Sequence, residues 1–179
     1  DWHLGQSFFG YDRTDEHLHF LDWLCDTIRQ HEVDVLIIAG DVFDVSNPSA
    51  ASQRMFYRFV SRVTTENPAL QLVVVAGNHD SAARLEAPLP LLQEMRTEIK
   101  GVVPKMEGKP LYDDLIVELK NARGEVEALC LAVPFLRQGD YVVPEGAENT
   151  YAAGVRMFYQ ELVQCAALRQ TENQALVAV

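Results

Sequence analysis

Residues Val35–Asp44 read VLIIAGDVFD, and this decamer decides the fold class. Its first half, Val35-Leu36-Ile37-Ile38-Ala39, is an unbroken run of strand-forming apolar residues. Such a run predicts a parallel strand buried on both faces. At its carboxyl end the chemistry turns over at once to Gly40-Asp41, and a second acid, Asp44, follows shortly after. Open α/β sheets bind ligands at the carboxyl ends of their strands, so Asp41 stands where a site belongs. Alone, an acid after a strand is more often a turn residue or a helix cap.

Two further stretches change that balance. Leu72-Val73-Val74-Val75-Ala76 is a second buried-strand run, ending in Gly77-Asn78-His79-Asp80, and the chain opens with Asp1-Trp2-His3-Leu4-Gly5. Each of the three carries oxygen or imidazole donors of the kind that suit Mn, Fe or Zn. Taken in order, Asp1/His3, Gly40/Asp41/Asp44 and Gly77-Asn78-His79-Asp80 resemble the D-x-H, G-D-x-x-D and G-N-H-[DE] pattern of the calcineurin-like metallophosphoesterases. The resemblance implies an α/β fold, a metallophosphoesterase-type sandwich of mixed sheets flanked by helices, with residues 1–179 as the N-terminal portion of that domain. It also implies two divalent metal ions, with Mn the expected metal. Asp1 and His3 would bind the first ion and Asn78 the second, while Asp41, a short acid well held at a strand end, is the candidate bridge. His79 leaves the strand in a different direction from Asn78, and in the family it stabilises the transition state or protonates the leaving oxygen. Asp80 is expected to orient His79 by acid–imidazole pairing. Asp44 stays open between support behind the ligands and a helix cap.

Departures from the pattern narrow the family. Its protein phosphatases carry G-D-x-V-D-R-G and G-N-H-E, whereas this chain has Gly40-Asp41-Val42-Phe43-Asp44-Val45-Ser46 and ends the other motif in Asp80, so it lacks their phosphate-binding arginine. Its strings, together with Val133-Pro134-Phe135-Leu136-Arg137, are similar to the SbcD group of DNA-repair nucleases. That similarity implies a Mn-dependent exonuclease and endonuclease acting on DNA ends and hairpins, a homodimer paired with an SMC-type ATPase, SbcC. A small-molecule phosphodiesterase using the same site and a scaffold that kept the fold but lost the site are the two other readings.

Composition bounds these readings. The chain has 179 residues, 48% of them hydrophobic, enough for one sizeable core. No apolar run approaches the about 20 residues needed to span a bilayer. Cys25, Cys130 and Cys165 are scattered with no C-x-x-C pair, and read as small buried hydrophobes of a reducing, cytoplasmic compartment. A net charge of −11 argues against a dedicated nucleic-acid surface, an objection that bound divalent cations weaken locally. Asp1 stands where the family's first strand would just have ended, and Ala175–Val179 reads as another buried strand, after which the family's remaining histidine ligands would follow. The expectation is an excerpt of a longer protein that by itself is inactive or binds metal poorly.

Between the motifs, Thr14 with Asp15 and Glu16 predicts a cap and helix start, running to about His31 with Leu18, Leu21, Cys25 and Ile28 inward. His17 and His19 lie two apart on that helix, face different directions, and read as solvated or supporting histidines rather than joint ligands. Asn47-Pro48-Ser49 opens a second helix to about Thr64, whose Arg54, Arg58 and Arg62 read as a solvated stripe. A short helix is expected over Leu91–Ile99, a β-hairpin from Leu115–Lys120 and Glu125–Val133, and a helix capped by Thr150 and ending near Arg169.

Overall fold

The computed structural model describes residues 1–179. In chain order the elements are β1 (Ser7–Phe8), β2 (Tyr11–Asp12), α1 (Thr14–Gln30), β3 (Val35–Ala39), α2 (Ala50–Glu66), β4 (Gln71–Val75), α3 (Ala82–Glu86), α4 (Leu89–Leu92), β5 (Thr97–Lys100), β6 (Lys105–Met106), β7 (Lys109–Pro110), β8 (Ile116–Lys120), β9 (Val126–Leu131), α5 (Thr150–Arg169) and β10 (Ala175–Ala178). β3, β4 and β5 form a parallel sheet with β4 in the middle. The second sheet has the order β10-β9-β8, with β8 and β9 an antiparallel hairpin and β10 parallel to β9. β1–β2 and β6–β7 are two-residue ribbons on the surface.

The period-2 alternation of the strands divides their side chains between layers. From the first sheet, Ile38, Leu72, Val74 and Ile99 pack against Leu21, Cys25 and Ile28 of α1 and Phe56, Phe59, Val60 and Val63 of α2. The opposite face, Val73 and Val75 of β4, meets Val117 and Leu119 of β8 and Cys130 of β9, forming the layer between the sheets. Beyond it, Ile116, Leu129 and Leu131 pack against Phe158, Leu162 and Ala166 of α5. The result is a helix–sheet–sheet–helix sandwich, the α/β class expected. No helix is long and apolar enough to cross a membrane.

Five local expectations are corrected. β3 is half-buried, with Ile38 alone fully buried and Ala39 exposed, whereas Leu72–Val75 of β4 are all buried between the helices and the second sheet. β10 is likewise partly exposed, with Leu176 and Val177 half-buried. The helix expected over Leu91–Ile99 stops early: Arg96 turns left-handed at φ 50°, and Thr97 and Ile99 then enter β5 as buried residues. Two caps move by one or two residues. Asp12 Oδ1 accepts from the Thr14 amide and hydroxyl ahead of α1, and Asn149 rather than Thr150 caps α5 by accepting from Ala152 N. Ser49 caps α2 as expected.

Candidate metal centre

Every donor singled out in the sequence lies at the carboxyl end of the first sheet. β3 gives way to Gly40 and Asp41, both left-handed, at φ 82° and 45°. This turn aims the Asp41 carbonyl at the amides of Trp2 and His3, each donating over 2.9 Å. Leu4 N then donates to Val42 O at 3.0 Å, and Leu4 bridges Phe43 in parallel. Leu4 is buried, and Trp2 wedges edge-on between Phe20 and Phe59 at 5.6 and 5.2 Å. The opening segment is thereby fastened alongside residues 41–43, carrying Asp1 and His3 to Asp41.

β4 ends in a loop that interlocks with this one. A Cβ on Gly40 would meet Gly77 Cα at 3.1 Å, and a Cβ on Gly77 would run into the Asp41 carboxylate and backbone nitrogen. Both positions therefore require glycine. Asp41 Oδ1 accepts from His79 N at 2.9 Å, tying the second motif to the first through the expected bridging acid itself.

Two overlapping donor sets result, Asp1 with His3 and Asp41, and His3 with Asp44 and His79, each with ligand atoms within 4.8 Å of one another. His3 Nε2 lies 3.7 Å from Asp41 Oδ2, and His3 Nδ1 lies 3.3 Å from Asp44 Oδ1. His3 Nδ1 is buried with no hydrogen-bond partner, an arrangement that is costly unless a ligand completes it. Carboxylate and imidazole donors around an orphaned ring nitrogen fit a divalent cation such as Mn, Fe or Zn. Asn78, exposed, lines a cavity of about 340 Å³ together with Asp1 and Asp41.

One expectation about the acids is corrected, and the alternative left open for Asp44 is decided. The His79 imidazole does not pair with Asp80; its Nδ1 donates to the Asp44 carbonyl at 2.7 Å, since a carbonyl can only accept. That bond raises the His79 pKa above the ordinary imidazole value, and the nearby charges of Asp41, Asp44 and Asp80 act in the same direction. It also fixes the tautomer, leaving Nε2 as the outward atom. The Asp80 carboxylate instead accepts main-chain bonds from Val42, Phe43 and Gly77. Asp44 is not a helix cap, since Ser49 fills that role for α2; it touches both His3 and His79. Of the two α1 histidines, His19 is exposed, whereas His17 is 6% exposed and so not solvated.

The far wall of the cavity comes from the second half of the chain. Phe135 N donates to Ala76 O at 2.8 Å, stitching Val133–Arg137 to the end of β4. Phe135, with Arg137 5.8 Å above its ring, faces the site together with Tyr151 and Tyr159 of α5. Helical periodicity assigns the two tyrosines to a helix and no further; the i, i+4, i+8 spacing of Tyr151, Val155 and Tyr159 is the signal that they share one face.

The calcineurin-like phosphoesterase family model matches residues 1–151. The chain belongs to this family. Among curated relatives, it is 39% identical over 172 residues to the D subunit of nuclease SbcCD from Rhodobacter capsulatus, covering 93% of this chain and 42% of that protein. The corresponding SbcCD nuclease protein of Escherichia coli K12 is 34% identical over 156 residues, 83% of this chain and 34% of the relative. The Bacillus subtilis protein of the same name is 35% identical over 135 residues, 75% of this chain and 32% of its own length. The chain thus spans less than half the length of these relatives.

Proposed function

We propose that this phosphoesterase is a metal-dependent DNA nuclease, an SbcD-like subunit that hydrolyses phosphodiester bonds at DNA ends and hairpins. The observation that carries the reading is the convergence of Asp1, His3, Asp41, Asp44 and His79 on one strand-end site around an orphaned His3 nitrogen. The SbcCD nuclease names of its relatives support the substrate class. The same names, of a D subunit of SbcCD, support an SbcC-like partner subunit; we take that partner to be an SMC-type ATPase and place the protein in the cytoplasm as a homodimer.

Asp1, His3, Asp41 and Asn78 would hold two divalent ions, Mn being our choice. When bound, such ions lower the pKa of coordinated water and neutralise charge on the phosphate. The chain's own residues supply the rest. Asp41 is held in place from both sides, by the amides of Trp2 and His3 on its carbonyl and by His79 N on its carboxylate. His79, with Nδ1 anchored, turns Nε2 outward to stabilise developing charge or to hand its proton to the leaving oxygen. The Asp44 carbonyl, by accepting from Nδ1, favours the ring carrying a proton there and holds its orientation. Phe135, Tyr151 and Tyr159 form the far wall of the cleft.

The test is degradation of linear double-stranded DNA by the full-length protein with Mn²⁺, with Mg²⁺ and with chelator, alongside Asp41→Ala and His79→Ala. We expect Mn²⁺-dependent degradation that both substitutions abolish or reduce at least about 100-fold. Mutant-sensitive hydrolysis of a small phosphodiester without DNA cleavage would replace this reading with a small-molecule phosphodiesterase. Silence on both substrates with no metal bound would leave a scaffold.

A further inference from the structure

Asp80 is 2% exposed, the most deeply buried carboxylate in the chain, yet no cation pairs with it. An unpaired buried charge is expensive unless hydrogen bonds replace its water. Three main-chain donors do so here. Asp80 Oδ2 accepts from Val42 N at 3.1 Å and Gly77 N at 2.9 Å, and Oδ1 accepts from Phe43 N at 3.0 Å. These donors belong to both ligand loops: Val42 and Phe43 directly follow Asp41, and Gly77 directly precedes Asn78.

The bonds act where the backbone has most reason to relax. Asp41 is a non-glycine residue at φ 45°, a conformation that persists only when its surroundings over-determine it. The two loops also approach so closely at Gly40 and Gly77 that no side chain fits between them. We propose that Asp80 is a positioning residue for the metal centre, a clip that sets the spacing of Asp41 and Asn78 and thereby the metal affinity without touching metal or substrate. The proposal rests on the reading that the site binds divalent ions.

A carboxylate is the group that can do this, because both of its oxygens accept. In Asp80→Asn one oxygen becomes an NH₂, so either Phe43 N or the pair Val42 N and Gly77 N faces a donor instead of an acceptor. The experiment titrates Mn²⁺ alone by calorimetry into the full-length protein in its native form and carrying Asp80→Asn or Leu162→Ala. The last opens a cavity in the distant layer under α5 and serves as a control of matched thermal destabilisation. Asp80→Asn is expected to raise the Mn²⁺ dissociation constant about 10- to 100-fold, the effect of losing a partner that supports a ligand. Leu162→Ala is expected to leave it within about twofold, as independent sites do not couple.

Unchanged affinity in Asp80→Asn, or equal loss in both variants at equal melting temperature, overturns this proposal alone. No Mn²⁺ uptake by the native full-length protein overturns the metal reading and the clip with it. Should Asp80→Asn not fold, amide hydrogen exchange of the native protein decides. Protection of Val42, Phe43 and Gly77 without metal is expected, and rapid exchange there that only Mn²⁺ slows would show that metal rather than Asp80 holds the loops.

Discussion

The two sheets end very differently at the face they share. β3 and β4 of the first sheet run into Gly40-Asp41 and Gly77-Asn78-His79, whereas β9 of the second runs into Ala132-Val133-Pro134-Phe135. All seven polar residues singled out lie in the first 80 positions, and the second sheet with α5 adds an aromatic wall. The difference teaches how a site is divided. Donors sit where glycines allow loops to close on one another, and the opposing layer supplies a wall that shapes the cleft.

This division can be broken or sharpened by substitution. The largest effect is expected from Phe158→Ala, which empties a 1% exposed position between α5 and the second sheet and should cost about 3–5 kcal/mol in denaturant unfolding. If the division holds, Mn²⁺ affinity of the folded fraction stays unchanged; a large loss would show that the second sheet also holds the donors. Gly77→Ala should cost about 1–3 kcal/mol, because its Cβ displaces Asp41, and it should abolish metal uptake at a smaller stability loss than Phe158→Ala. Metal binding as in the native chain would refute the interlocked-loop account. Asn149→Ala removes the cap of α5 and should cost about 1 kcal/mol, measured as a lowered melting temperature with the site intact.

The smallest effect concerns pH. Burial, reinforced by the Arg13 charge, lowers the His17 pKa, so between the unfolded value of about 6.5 and the depressed folded value the unfolded chain binds more protons. Stability from this group is therefore full above that window and is lost as pH falls through it. His79, raised, acts in the opposite sense. The informative measurement is the difference in melting temperature between the native chain and His17→Gln from pH 7.5 to 5.5, expected to shrink as the pH falls.

Much of the candidate site was legible because its chemistry is local. Apolar runs ending abruptly in Gly-Asp and Gly-Asn-His placed Asp41, Asn78 and His79 at strand ends, and the D-x-H opening flagged Asp1 and His3. The roles of Asp80 and Asp44 were not legible, since they depend on donors that reach Asp80 from Val42 and Phe43 and on a carbonyl that meets His79. Strand burial was likewise hidden: VLIIA and QLVVV are equally apolar, yet β4 is buried from Leu72 to Val75 and β3 only at Ile38.

By itself, then, the sequence determined the α/β class, the main helices, the hairpin and the donor types, because periodicity, strand propensity and turn chemistry act over a few residues. The tertiary structure alone decided which loops interlock, which acid holds the backbone and which aromatics close the cleft. Those contacts join residues far apart in the chain, and their geometry is set by how two sheets and three long helices pack rather than by any local preference.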